Sequence, residues 1–455
     1  MTINRKNQLY TLEKLYNAND NQAVVFYSNT CSDIHDIIKD FLIDKDFFYY
    51  KAVQVSNEEQ VKLFVNSIGE QLSKVSISET TYSCALKTMM DAKCEKRVVI
   101  IDEFQHIVKY SDELISEIIK CVNNKWGNQP VFFILVSTNA YFVENVMVEK
   151  LAELAYELSG VIKVPDLSFV DIIQYFNKYN KADQIIAYSI TGGICEVVKS
   201  FNSDKSLKEN IITEILNSNG NLHKYGFDIL PKELREHSVY NTILVNIASG
   251  LNKLNDLHKA TGYSRAKISV YLNNLTQHDI IEKLDSVDTE GRDNTVKGVY
   301  AIKNSFLEFF YRFIFKNISL LQVMEEEKFY KKYIAPYLFD FASRTFRKVC
   351  NEYLTILSSM GNLPLNISES GLWIGKVGNI DIVANDSRGH TLIGLCEFEK
   401  DIMTFEDLEW LEFCAKQAKL QANVYYLFCK KDFDNRIKEY AEKMGNIVLV
   451  DLSML

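Results

Sequence analysis

Two adjacent carboxylates, Asp102 and Glu103, stand at the carboxyl end of the apolar run RVVIID. An aspartate in that place can hold a magnesium ion, and a glutamate beside it can polarise a water for attack on a phosphoryl group. A second acidic pair, Asp381 in NIDIVAND and Glu397 in TLIGLCEFEK, has the order in which a metal-dependent nuclease sets acids on consecutive strands. Between these pairs, Leu251–Leu284 has a helix-turn-helix rhythm. Leu254, Leu257 and Ala260 face inward, Gly262 turns the chain, and Ser264 caps a helix carrying Ile268, Tyr271, Leu272 and Leu275. Arg265, Lys267 and Ser269 lie near that helix's amino end, where DNA phosphates or base edges would be met. Plainer readings stand beside each of these. The first pair can be a buried strand leaving into an acidic helix start, the second a set of solvated acids, and the helix-turn-helix a docking module.

The elements that must position these residues are visible as pattern. Over the first 165 residues, short apolar runs alternate with amphipathic stretches: Ala23–Tyr27, Phe47–Val53, Val98–Asp102 and Val131–Ser137. Strands separated by helices imply a parallel sheet covered on both faces. A strand, a loop, a helix and then a strand ending in Asp-Glu is the layout of a P-loop ATPase, where G-x-x-x-x-G-K-[ST] follows the first strand. Here the corresponding stretch, VVFYSNTCSDIHDIIKDFL, has no Gly, Lys or Ser/Thr in the required register. Residues 166–235 read as mostly helical, with a break at Thr191–Gly193. Residues 240–302 read as three short helices and two strand-like pieces, the second at Val296–Ile302, around a turn at Glu290–Asn294. From about residue 340 a helix precedes strands at GNIDIVAN and TLIGLCEFE, then a helix, VYYLFCK, a helix and IVLVDL.

The chain resembles the archaeal-type ATPase family, in which an AAA-like P-loop domain is followed by a winged helix and a restriction-endonuclease-like domain of unknown function. The resemblance rests on INRKNQLYTLEKLY with Arg5, RVVIIDEFQHIV, Gly192–Ile194, Glu233–Gly250 and Asn379–Asp386, in that order and spacing over essentially the whole length. It implies an α/β fold with a P-loop NTPase-like parallel sheet over residues 1–165 and a helical lid over 166–238. A winged helix over 239–305, a helical connector over 306–339 and a PD-(D/E)xK-like α/β domain over 340–455 complete the expected order.

The resemblance also places the departures. Ser28 takes the first glycine's position and Asp33 the second's, while Ile34 replaces the lysine and His35 the magnesium-binding threonine. Glycines let backbone N–H groups close around phosphates, and an L-residue at the second position resists the conformation needed. Asp33 sets a carboxylate against a polyphosphate, and Ile34 removes an ammonium. Each lost charged hydrogen bond costs roughly 1.5–3 kcal/mol. Glu157 and Leu158 stand where the family carries an arginine pair, and a glutamate there opposes stabilisation of a transferred phosphoryl group. Ser137 ends the fourth strand, at a sensor position. In the C-terminal domain the family's E-x-K falls on Leu395, Cys396 and Glu397, and Arg347 and Lys348 replace acids on the preceding helix. Strand alternation puts Leu395, Glu397 and Glu399 on one face and Lys400 on the other.

Composition bounds the rest. The 455 residues are 47% hydrophobic and 24% charged with only 5 Pro and 18 Gly, which suits several folded domains and excludes a disordered chain. The formal net charge of −9 excludes a surface that is basic throughout, leaving only a local basic patch for DNA. Nine Cys without a CxxC pair fit free thiols in a reducing cytoplasm and no structural zinc. The longest apolar runs are six residues, against about 20 for a membrane span. The expectation is a cytoplasmic, diverged member of the family, poor at ATP binding and hydrolysis. It would act as a regulator or scaffold on double-stranded DNA, through the winged helix, or on an unidentified protein partner. No cofactor is expected. The alternatives are an ATPase that keeps ATP and magnesium through Asp102 and Glu103, or a nuclease using Asp381 and Glu397.

Overall fold

The computed structural model describes residues 5–18, 20–28, 32–72, 77–92, 94–123, 130–230, 234–287 and 299–455. These form two compact units, residues 1–166 and 167–455. Among the described residues no helix is long and apolar enough to cross a membrane.

The first unit is built on five strands, β1 (Gln22–Tyr27), β2 (Asp46–Lys51), β3 (Arg97–Asp102), β4 (Val131–Ser137) and β5 (Gly160–Lys163). Their order is β2-β3-β4-β1-β5, and every pairing is parallel. All residues of β3 and β4 are buried, as expected of β-branched and aromatic runs covered on both faces. Alternation splits the core in two. Val25, Val99, Ile101, Phe133 and Leu135 pack with residues of the helices Asn57–Gln71, Tyr82–Asp91 and Glu113–Val122. Val24, Phe26, Val98, Ile100, Phe132 and Ile134 pack with residues of the helices Lys6–Tyr16 and Ser32–Phe41. The parallel arrangement brings the carboxyl ends of β1, β3 and β4 to one edge of the sheet. Ligands of open α/β folds bind in that kind of crevice.

The second unit opens with helices, among them Phe169–Tyr175 and Lys181–Thr191. The latter ends at Gly192 in the left-handed region (φ 62°), and Gly193 follows at φ 76°. A Cβ on Gly193 would lie 2.2 Å from the Leu167 carbonyl oxygen, and the Leu167 N–H donates to the Gly193 carbonyl. The Thr191–Gly193 break is therefore a backbone-to-backbone contact that admits only glycine.

Three helices, His237–Ala248, Leu254–Thr261 and Arg265–Gln277, precede an antiparallel ribbon of β6 (Ile281–Leu284) and β7 (Val299–Ile302). The expected turn at Glu290–Asn294 and residues 296–298 of the expected strand lie outside the described residues, as does Glu233. The long helix Leu338–Ser359 packs on a mixed sheet of β8 (Ile367–Ile374), β9 (Asn379–Asp386), β10 (Thr391–Glu397), β12 (Val424–Cys429) and β14 (Ile447–Asp451). Its order is β14-β12-β10-β9-β8, antiparallel from β8 to β10 and parallel from β10 to β14. The two-residue strands β11 (Ile402–Met403) and β13 (Asp432–Phe433) pair beside it.

Arg344 of the long helix donates to the Ile302 carbonyl (2.9 Å), Glu308 (3.1 Å) and Glu282 (2.6 Å), fastening the ribbon to the C-terminal domain. Ser286 and Val287 also reach β8: the Val287 N–H donates to the Leu372 carbonyl and the Ile374 N–H to Ser286 Oγ, both at 2.9 Å. Gly193→Ala is expected to lower unfolding stability by at least about 1 kcal/mol, read as an earlier urea midpoint at unchanged slope.

Candidate functional site

The crevice at the end of β1, β3 and β4 is built from short-range consequences of sequence. Ser28, one residue past β1, is buried, and its N–H donates to the Ser137 carbonyl at 3.1 Å. The helix Ser32–Phe41 then places Ile34, Ile37, Ile38 and Phe41 on one stripe. That stripe joins Leu12, Val24 and Phe26 in the core, so Ile34 is fully buried. The side chain at the lysine's position is thus drawn toward the sheet and away from any ligand. Asp33, nearly buried, accepts a hydrogen bond from Arg5 Nε at 2.7 Å and also pairs with the guanidinium Nη2.

His35 lies one residue further and reaches Asp102, with Nε2 2.9 Å from Oδ2. The same oxygen accepts from the Tyr49 hydroxyl at 2.6 Å and lies 3.7 Å from Lys51 Nζ. Register explains why: Lys51 is paired with Asp102 across β2 and β3, and Tyr49, two residues earlier, shares the face of Lys51. Asp102 is fully buried, and its Oδ1 has no hydrogen-bond partner. Burial pushes the carboxyl up, but the hydrogen bonds from His35 and Tyr49 and the charges of His35 and Lys51 outweigh it and hold it below its ordinary value of 3.8. Protein donors therefore occupy Oδ2, while Oδ1 is left without one, and Ile34 and Asp33 set no ammonium or glycine beside them for a polyphosphate.

Glu103 sits in the left-handed backbone region, φ 55°, which is uncommon for a non-glycine residue. Thr138 Oγ1 donates to its carboxylate, 2.7 and 3.0 Å from the two oxygens, and Gln105 Nε2 donates to Oε2. Ser137 instead accepts from the Asn139 N–H at 3.1 Å, closing the turn after β4. The hydroxyl that meets Glu103 thus belongs to the residue after the strand's end. Glu157 ends the helix Ala152–Glu157, with partial exposure.

The sequence pattern marks Arg5 without a role and gives no place to Tyr49, Lys51 or Thr138. The signal for Tyr49 and Lys51 was alternation in FFYYK, usable only once β2 is known to lie beside β3.

In the three-helix segment, Arg265 Nε donates to Asn255 Oδ1 at 2.8 Å. Lys267 lies 3.8 Å from Glu236 and over the rings of Tyr263 and Tyr271, 4.9 and 5.6 Å from their centroids. Ser269 is exposed.

In the mixed sheet, Asp381 Oδ2 accepts from the Cys396 N–H at 2.9 Å and Oδ1 lies 3.5 Å from Arg347 Nη1. Burial raises the Asp381 carboxyl above its ordinary value, with Glu397 adding to the rise and Arg347 and the Cys396 N–H opposing it. Glu397 Oε1 accepts the N–H groups of Glu399 and Lys400 at 2.9 and 3.0 Å. Alternation stops there, because β10 ends at Glu397 and the following turn brings Lys400 Nζ back to 3.6 Å from Glu397 Oε2 and 2.7 Å from Asp407. Lys400 is thus returned to Glu397 by a turn and not by strand register. Among the described residues no group of three or more His, Cys, Asp or Glu is arranged to hold a metal.

The sheet order of the first unit, with an apolar strand ending in Asp-Glu one strand removed from β1, defines the α/β fold of P-loop ATPases. Residues 310–408 match a family described as archaea bacterial proteins of unknown function. The chain is 24% identical over 400 residues to an uncharacterized protein of Methanocaldococcus jannaschii, covering 85% of each. Among solved structures it is similar to a Walker-type ATPase of Pyrococcus abyssi, with 14% identity, 68% and 96% coverage and a TM-score of 0.44. It is also similar to the ORC2 protein of Aeropyrum pernix in ADPNP–ADP complexes, with 11% identity, 71% and 94% coverage and a TM-score of 0.43. The amino-terminal sheet order agrees with the expected ATPase-like α/β fold.

His35→Ala is expected to lower stability by about 1–3 kcal/mol at neutral pH, because a buried carboxylate loses a donor. Asp102 titrates lower in the folded chain than in the unfolded one. Its stabilisation is present above the unfolded pKa and lost as the pH falls through the folded value. Urea midpoints at pH 7 and below pH 4 should therefore differ less in His35→Ala than in the parent.

Proposed function

We propose that this protein is a diverged member of the archaeal-type ATPase family that keeps the ATPase fold without binding Mg-ATP usefully, and that it works as a DNA-binding regulator or scaffold. The observation that carries the first half is the Asp102 carboxylate, whose Oδ2 is shared by His35 and Tyr49 with Lys51 close by. The Arg5–Asp33 pair and the burial of Ile34 support the same reading from the other side of the loop.

The DNA half rests on the three helices and antiparallel ribbon, read as a winged helix within 239–305. Arg265 and Ser269 are exposed and one helical turn apart, with Lys267 beside them. Phosphate contacts from such a helix end would supply affinity before any base is read. The preceding helices would serve as a lid remnant, and residues 340–455 as a nuclease-like domain retained for its surface. Arg347 beside Asp381 supports that last assignment, since a guanidinium there competes with a metal cation.

Calorimetric titration with Mg-ATP is expected to give no micromolar binding, and a micromolar dissociation constant would sink the first half. Restoring Gly, Gly, Lys and Thr at Ser28, Asp33, Ile34 and His35 is expected to recover measurable binding. For the second half, fluorescence polarisation with duplex DNA at low salt compares the parent with the Arg265→Glu, Lys267→Glu double variant. A loss of at least about tenfold is expected, and equal binding rejects the assignment.

A further inference from the structure

Two helical irregularities of the same kind occur close together in the second unit. A π-helical turn at Phe310–Ile314 runs into a 3₁₀ turn at Phe315–Asn317, and another at Tyr330–Ile334 runs into a 3₁₀ turn at Ala335–Tyr337. Single π turns inside helices sacrifice regular hydrogen bonding and concentrate at functional sites, because they re-aim side chains. Here both breaks deliver side chains to one place. Arg312, Lys316 and Asn317 come from the first, and Tyr333 and Tyr337 from the second. Together with Asp340 and the turn at Ser249 and Gly250, they line a cleft of about 570 Å³. That volume lies within the range of small-molecule sites.

The charges in the cleft are unequally satisfied. Arg312 is paired with Asp340, and it stacks over Phe313 and Phe341 at 5.4 and 5.7 Å. Asn317 Nδ2 is committed to the Phe313 carbonyl at 2.9 Å. The nearby Glu308 is engaged by Arg344 at 3.1 Å. Lys316, exposed to solvent at the mouth of the cleft, makes no ion pair or hydrogen bond among the described residues. Burial and then repulsion from Arg312 lower its ammonium below the ordinary lysine value. An anion between the two cations would relieve that repulsion, and the half-exposed Tyr337 lines the same cleft.

We propose that this cleft is a binding site for a phosphate group, carried either by a small phosphate monoester or by the end of a nucleic-acid strand. Lys316 supplies the unpaired charge, Arg312 a second that is shared with Asp340, and the tyrosine hydroxyls supply neutral donors. The site is independent of the β1–β3 crevice and of the helix bearing Arg265, so its fate does not follow theirs.

The full-length protein is titrated calorimetrically at low salt with inorganic phosphate, adenosine, adenosine 5′-monophosphate, and a short single-stranded oligonucleotide with and without a 5′-phosphate. Saturable binding of the phosphate-bearing probes is expected, with none for adenosine. Lys316→Gln is expected to weaken that binding by at least about tenfold, while Lys316→Arg stays near the parent. Preference for the monophosphate identifies a free metabolite as the source, and preference for the phosphorylated strand over its unphosphorylated twin identifies a strand end. Absence of binding to every phosphate-bearing probe at millimolar concentration overturns the proposal. So does unchanged binding in Lys316→Gln.

Discussion

A carboxylate removed from water must be given a charge or several donors, because an unpaired buried anion costs several kcal/mol. Three inward-facing carboxylates of this chain meet that requirement from within, Asp381 only in part because burial still raises it. Asp33 has Arg5, Asp102 has His35, Tyr49 and Lys51, and Asp381 has Arg347 and a backbone N–H. The family resemblance implies metal-binding positions for Asp102 and Asp381 and a phosphate-cradle position for Asp33. At each place the chain supplies its own counter-charge.

The sheet around the first crevice does not depend on that chemistry. Its stability comes from strands buried on both faces, with alternate side chains feeding two separate cores. Ile34 belongs to one of those cores, so the position a lysine would occupy contributes to packing instead. Returning a lysine there removes apolar burial at the same time as it adds charge. The energetic cost of recovering a phosphate cradle therefore includes repacking beneath the helix Ser32–Phe41.

Features encoded in consecutive residues were legible in the sequence. The four apolar runs of the first unit correspond to β1 to β4, shifted at their ends by no more than two residues, and the absent phosphate-loop residues could be counted by eye. The edge strand β8 is not among the expected strands, since ISESGLWI alternates weakly and is only half covered. Partnerships across space were illegible for a different reason. Tyr49 and Lys51 meet Asp102 only because β2 and β3 are neighbours in a given register, and Arg5 finds Asp33 across 28 residues. Thr138 and Lys400 both lie just past a strand's last residue, where the period-two rule no longer says which way a side chain faces. The paired π turns fall on two similar stretches, FFYRFI at 309–314 and FYKKYI at 329–334, in which nothing signals a π turn.

The bonds from Ser286 and Val287 to β8 have a consequence for how this molecule behaves among its own copies. β8 is the outermost strand of its sheet, and such a strand offers a row of unmet N–H and C=O groups to any passing chain. At Leu372 and Ile374 those groups are already taken by residues that follow β6, between the ribbon's two strands. The sheet is sealed at that end by its own chain, and strand-by-strand growth into aggregates is blocked there by the same connection that joins the ribbon to the domain.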